Sequence, residues 1–280
     1  MARKISKKPK RKKGPRNAAG ILRERSPRVE ALLIDVSEHI VQKDYEKAAE
    51  ICESLLNYLP KGAPQRAEVL YYYGSLQAIA QNFQQAYDAY TEALSIEPKN
   101  ADLWYNRGMA SVFTSRFGRS LRDYEKAAAL NTTPELTADI ETRIKESRQL
   151  VKGALATRGP DFTLDQLIEQ EDTYQAGLSL MAQGKWQEAE TALRRSIAMG
   201  DCLPQPWGNI AGCYMMQGRY DEAEAALKRA LEIDPRYDLA RQNLARLPEI
   251  REKGIESFNI GMRDPFKQAG VKPSFKFLAE

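Results

Sequence analysis

Apolar residues in the last third of this chain fall at helical intervals, and the pattern they make is a copy of one seen earlier. Between 207 and 237, a bulky residue (Trp207) is followed three positions on by a second (Ile210) with a small neighbour (Ala211), then by a third (Tyr214). After a Gly218-Arg219-Tyr220 turn signal come Ala223, Leu227 and Ala230, and then Pro235. Spacings of three and four predict two amphipathic helices, with glycine marking the turn between them and proline ending the second. Pairs separated by 34 residues recur along the chain: Gly74 and Gly108, Ala86 and Ser120, Tyr90 and Tyr124, Ala93 and Ala127, then Gly184 and Gly218, Ala189 and Ala223, Leu193 and Leu227. A fixed period of this size is one two-helix unit repeated, and such units bury their apolar faces only by stacking into a solenoid.

Five copies are legible: 29–62, 67–100, 101–134, 170–203 and 204–237. The second carries Leu70, Tyr73, Gly74, Phe83, Ala86, Tyr90, Ala93 and Pro98, and the third Trp104, Gly108, Phe117, Tyr124 and Ala127. The third departs from the pattern at Arg107, Ser120 and Thr132, and its Pro134 comes two residues late. The fourth has Gly177, Gly184, Trp186, Ala189 and Leu193, with Thr173 and Asp201 off-pattern. The first is worn: it keeps Tyr45, Ala48 and Pro60 but has Asp35 and Val36 where a bulky residue and glycine are expected. The small residues (Gly74, Gly108, Gly177 and Ala211 in first helices, Ala86, Ala189 and Ala223 in second ones) are expected to let backbones approach while large side chains fill the grooves beside them.

These residues at these offsets resemble the tetratricopeptide repeat, and the resemblance covers 170 of 280 residues. It implies an all-α, TPR-type α-solenoid that binds another protein without catalysing a reaction. In that family the concave groove is lined by the first helix of each unit. Carried over, the groove positions are Tyr71, Tyr72 and Ser75; Asp102, Tyr105, Asn106 and Met109; Glu171, Tyr174, Gln175 and Met181; and Gln205, Asn209, Gly212, Met215 and Met216. Tyrosine and methionine suit adaptable apolar contact, and Asn106 and Asn209 can hydrogen-bond a peptide backbone. Family members that clamp the acidic tails of heat-shock chaperones use Lys and Arg at such positions. Here they are Tyr, Asp, Glu and Gln, so a chaperone carboxylate is not the expected ligand, and Asp102 and Glu171 favour a neutral or basic peptide or helix.

Between Pro134 and Gln170 the signature is lost. Leu136, Ile140, Ile144 and Leu150-Val151 still predict a helix, with Pro134 suited to its first turn and acidic residues ahead of basic ones along its length. Gly159-Pro160 reads as a breaker, and Thr163 as the cap of a helix that runs into the fourth copy. The expected organisation is a basic arm (1–28), an N-terminal repeat block (29–134), a degenerate helical linker (135–169), a C-terminal block (170–237), a capping helix (238–254) and a tail (255–280). Whether 135–169 is a hinge or a worn repeat stays open at this stage. Leu239, Leu244 and Leu247 should face back from the capping helix, with Pro248 kinking it or ending its first part. Phe258, Phe266, Phe275 and Phe277 in the tail either dock on the solenoid or are offered to a partner.

Charge changes the picture at the start of the chain. Residues 1–30 hold twelve Lys/Arg and two Glu, a net of +10 in a chain whose total is +4. The run Lys7, Lys8, Lys10, Arg11, Lys12 and Lys13, with Arg3, Lys4 and Arg16 around it, has too little apolar content to fold alone. It can serve as a solvated tail, a polyanion or nucleic-acid contact, an anchor on an anionic membrane, or a nuclear address in a eukaryote. Having no aromatic residue in it argues against base stacking, and a nonspecific anionic contact is the favoured reading. The arm can also compete in cis for the acidic remainder, or lie across a neighbour's groove.

Other chemistry is sparse. The start of the chain lacks the apolar stretch of a secretory leader, and no apolar run reaches membrane-spanning length. Three cysteines (Cys52, Cys202, Cys213) show no metal-ligand spacing, so no metal or cofactor is expected and a reducing, cytoplasmic setting fits. The single histidine, His39, is expected in the core, which leaves no partner for a histidine-based triad. The glycines recur at repeat spacing rather than as a phosphate loop.

Overall fold

The computed structural model describes residues 26–255. The arm residues Lys7 to Lys13 and the four tail phenylalanines lie outside them. Among the described residues there are twelve helices and no strand: α1 (Pro27–Val41), α2 (Tyr45–Tyr58), α3 (Pro64–Ile79), α4 (Phe83–Ile96), α5 (Ala101–Phe113), α6 (Phe117–Leu130), α7 (Pro134–Arg158), α8 (Leu164–Ala182), α9 (Trp186–Met199), α10 (Pro204–Met216), α11 (Tyr220–Ile233) and α12 (Asp238–Lys253). Each of the five copies supplies an antiparallel pair: α1–α2, α3–α4, α5–α6, α8–α9 and α10–α11. The described residues fold as an all-α solenoid of tetratricopeptide type.

The small residues of the pattern meet the large ones within each pair. A Cβ added at Gly74 would lie 2.8 Å from the Tyr90 ring, at Gly108 3.0 Å from Tyr124, and at Gly177 2.8 Å from Leu193. Tyr90, Tyr124 and Leu193 are in turn buried, as are Ala86, Ala189 and Ala223. The apolar core is therefore a string of clusters between adjacent helices rather than one centre. Cys52 and Cys213 belong to it, and burial pushes each thiol up to about 12, so both act as small hydrophobes.

The off-pattern residues have physical reasons. Arg107 points at α6, where its Nε and Nη2 donate to the two carboxylate oxygens of Asp123 at 2.8 and 2.7 Å, and its guanidinium lies 4.7 Å over Trp104. A buried, bidentate ion pair thus replaces an apolar contact. Ser120 donates to Ser147 of α7 at 3.2 Å, its small size admitting the next helix. Asp201 accepts from Trp207 Nε1 at 2.6 Å and from Arg229 at 2.9 Å. Pro134 is late because it does not end α6; it opens α7 at the first turn.

One expectation is corrected and another is narrowed. His39 is not in the core: it is half-buried, with Nε2 3.5 Å from Asp35 and Nδ1 3.2 Å from Asp44. Pro248 does not end the capping helix; α12 runs through it to Lys253, held by buried Leu247 and Ile250 on either side. Trp104, a large residue of the third copy, is half-buried, its indole N–H donating to the Pro98 carbonyl at 2.9 Å, so its truncation removes less packing than that of a core tryptophan.

The stretch without signature residues is one 25-residue helix, α7, packed along α6. Its last turns meet α8 through Val151, which packs with Leu167, and through Arg158, whose Nε donates to Gln170 at 2.5 Å. Helix α8 begins at Thr163, which closes a capping box with Gln166, and settles on α6.

Candidate partner-binding surface

The predicted groove residues divide into those spent on internal contacts and those left within reach of a partner. On α3, Ser75 is buried and hydrogen-bonded to the Tyr90 hydroxyl at 3.0 Å. Tyr71 and Tyr72 are half-buried, with their rings edge to face at 5.6 Å. Ser37 of α1 donates to the Tyr72 hydroxyl at 3.4 Å, which ties the aromatic pair to the first helix.

On α5, Tyr105, Asn106 and Met109 are all buried. Tyr105 donates its hydroxyl to Asp139 of α7 and packs edge to face on Tyr124, and Met109 joins the same cluster with Leu136 and Ile140. Burial, and the Asp139 carboxylate that accepts from it, push the Tyr105 phenol up to about 12. The helix that lacks the signature thus covers the third unit's inner face. Asp102 stays half-buried at the start of α5.

Glu171 and Gln175, carried over as groove residues, are used elsewhere. The Glu171 carboxylate accepts from the Gly118 N–H at 2.9 Å, at the first turn of α6, and Gln175 donates to the Thr114 carbonyl at 2.5 Å, at the end of α5. Both side chains are buried between α8 and the α5–α6 turn. The acidic lining expected from Asp102 and Glu171 therefore shrinks to Asp102. Burial raises the Glu171 carboxyl to about 8, against the opposing pull of the Gly118 N–H and of Arg158. On the same contact, Asp172 pairs with Arg119 and lies 3.4 Å from Arg116, and Asp165 pairs with Arg122.

The approach of α8 depends on Gly118. A Cβ there would come within 2.7 Å of Ile168 and 3.3 Å of Leu164. Sequence reasoning missed this residue, although a signal was present. The residue after the first aromatic of the second helix is Gln84, Gln187 or Asp221 in other copies and glycine only here.

Further along, Tyr174 of α8 and Asn209 of α10 form a second open element. Asn209 donates to the Tyr174 hydroxyl at 2.9 Å, and both are half-buried. Gln205 and Met216 on α10 are exposed, whereas Met181, Gly212 and Met215 are packed inside. The open positions thus gather into an aromatic pair on α3 and a Tyr–Asn pair across α8 and α10.

Among the described residues, no group of three His, Cys, Asp or Glu side chains is placed to hold a metal ion. None of their helices is long and apolar enough to cross a membrane.

Residues 174–238 match the tetratricopeptide repeat family. A 56-residue stretch is 39% identical to a DnaJ homolog subfamily C member 7 homolog of Dictyostelium discoideum, spanning 19% of this chain and 10% of that protein. Among solved structures, the TPR domain of P58(IPK) superposes with a TM-score of 0.44 at 13% identity, over 80% of this chain and 65% of that one. The TPR2AB domain of yeast Sti1, solved as a pHSP90 complex, superposes with a TM-score of 0.37 at 15% identity, over 79% of this chain and 83% of that one.

Proposed function

We propose that this chain, which is a tetratricopeptide-repeat protein, is a non-catalytic scaffold that receives a peptide or helix of a partner protein at two places. One is the Tyr71–Tyr72 pair, the other the Tyr174–Asn209 pair. The observation that carries this reading is the division among the first helices. Where a neighbour needs the inner face, as α7 does on α5, the residues are buried; at these two pairs they are left half-open. Tyrosine gives a large contact area with little side-chain entropy to lose, and the asparagine amide keeps hydrogen-bonding capacity for a peptide backbone. Neither pair carries a cation, so a neutral or basic segment suits them better than an acidic tail.

The test is capture of a partner by the intact chain, repeated with Tyr71→Ala/Tyr72→Ala and with Tyr174→Ala/Asn209→Ala, each checked for native helicity. Anchors of this kind are worth about 2 kcal/mol or more each, so one double variant should bind the same partner at least ~10-fold more weakly. Equal binding by both variants would remove the groove from the account. The second reading, an adaptor anchored on nucleic acid or membrane by residues 3–16, rests on the +10 charge of residues 1–30. It is separated from the first by measuring binding to an anionic surface at two salt concentrations, with and without residues 1–20.

A further inference from the structure

The two ends of the solenoid are finished differently. A terminal repeat needs a polar outer face, because nothing stacks on it. At the C-terminal end α12 meets this requirement: its exposed residues include Arg241, Gln242, Arg246, Glu249 and Glu252. At the N-terminal end it is not met. Helix α1 buries Val29, Leu33, Val36 and Ile40 against α2 and α3, and then presents Pro27, Ala31, Ile34, Glu38 and Val41 to solvent. Those five follow one another at spacings of four, three, four and three, the interval of a helix–helix seam. Ile34 is 61% and Val41 73% exposed.

The charge around this seam says what fits it. Glu30 and Asp35 flank it, Glu38 lies within it, and residues 26–60 carry three Lys/Arg against seven Asp/Glu. Pairing with a second copy of α1 about Ile34 would bring Glu30 opposite Glu38 if antiparallel and each glutamate opposite its own copy if parallel, like charge against like in either case. A basic segment with an apolar centre fits instead. Such a segment adjoins the helix: Arg16 to Arg25 contains Ile21-Leu22 between Arg16 and Arg23-Glu24-Arg25, and joins α1 at Ser26. The six residues from Ile21 to Pro27 can span up to ~20 Å, and Ile34 lies only ~10 Å up the helix from Pro27. Tethering also gives this segment an effective concentration in the millimolar range.

We propose that residues 16–25 dock in cis on the outer face of α1, with Ile21 and Leu22 over Ile34 and the arginines beside Glu30, Asp35 and Glu38. The segment then supplies the missing end cap. The surface is distinct from the inner-face positions described above, so this assignment stands or falls separately from the partner-binding reading.

The test uses the full chain with Ile34→Cys in a Cys202→Ser background, since Cys52 and Cys213 are buried. The rate of reaction with an uncharged maleimide is compared with that of the same protein carrying Ile21→Ser/Leu22→Ser, both checked for equal helicity. Ala245→Cys on exposed α12 serves as the control position. Docking predicts that the thiol introduced at position 34 reacts at least ~5-fold more slowly in the parent than in the serine variant, independently of protein concentration, while the thiol at position 245 reacts equally in both. Equal rates at position 34 would overturn the proposal. So would protection that grows with protein concentration, which would assign the face to a second copy.

Discussion

Glu171 shows how far a residue's role can move from the one its position implies. Its place in the fourth copy is a groove position, yet its carboxylate turns to the first turn of α6 and accepts from Gly118. Nothing in the sequence near Glu171 announces this, because the partner is 53 residues away and the contact exists only once α8 has settled on α6. The consequence is a pH dependence of known sign. Burial raises the folded-state carboxyl to about 8, above its ordinary value of 4.5, so the native state holds the proton more tightly than the unfolded chain does. The stability so gained is complete below about pH 4.5 and is lost as pH rises through about 8. Urea unfolding between pH 5 and 8.5 should show this loss, at most a few kcal/mol since one pKa unit is ~1.4 kcal/mol. Glu171→Gln should flatten the slope while keeping an oxygen for the Gly118 N–H. An unchanged slope in the variant would place the titrating group elsewhere.

At the scale of the element, the helices and turns were largely legible, because each repeat is built from local contacts that its own residues specify. The helix pairs, the glycine–tyrosine and glycine–leucine approaches and the starting role of Pro134 all follow from residues within one or two units. What the sequence concealed was the cost of irregular turns. Gly184 and Gly218 occupy the left-handed region, but the equivalent residues of the earlier copies are Lys43, Gln81 and Ser115, at φ of 62°, 62° and 55°. A side chain in that region costs about 1–2 kcal/mol, partly offset by the lower unfolded-state entropy of a non-glycine residue. Gln81→Gly and Ser115→Gly should each stabilise the N-terminal pairs by up to about 1 kcal/mol, read as a rise in the urea midpoint at unchanged slope. A fall in either midpoint would show that the side chain contributes more than its backbone costs. Of the two expectations for Pro248, a kink or an end, the end is excluded: its local penalty is outweighed by Leu247 and Ile250, which bury only if α12 continues.

For the molecule as a whole, the decisive feature is the seating of α8 on α6. The sequence left open whether 135–169 was a hinge or a worn unit, since both share the same apolar spacing and differ only in what the helix touches. In the structure α7 stacks on α6 as a following first helix would, and α8 then fastens to the same helix through Gly118, Glu171 and the Arg119–Asp172 and Arg122–Asp165 pairs, and to the end of α5 through Gln175. Gly118→Ala places a methyl 2.7 Å from Ile168, an overpacking expected to cost about 1–3 kcal/mol at this contact. Hydrogen exchange should speed up along 164–182 while 64–96 keeps its protection. Unchanged protection in α8 would show that the two halves are joined by something other than this contact.

The covalent link between those halves is a different thing from the joint that braces them. The chain leaves α6, travels the length of α7 and returns through the five residues 159–163, whereas the halves are joined mainly by the contact of α6 with α8, to which Val151 and Arg158 of α7 add. A cut in that short return loop would therefore sever the polypeptide and leave the molecule standing, two fragments held in register by a contact that the backbone only visits.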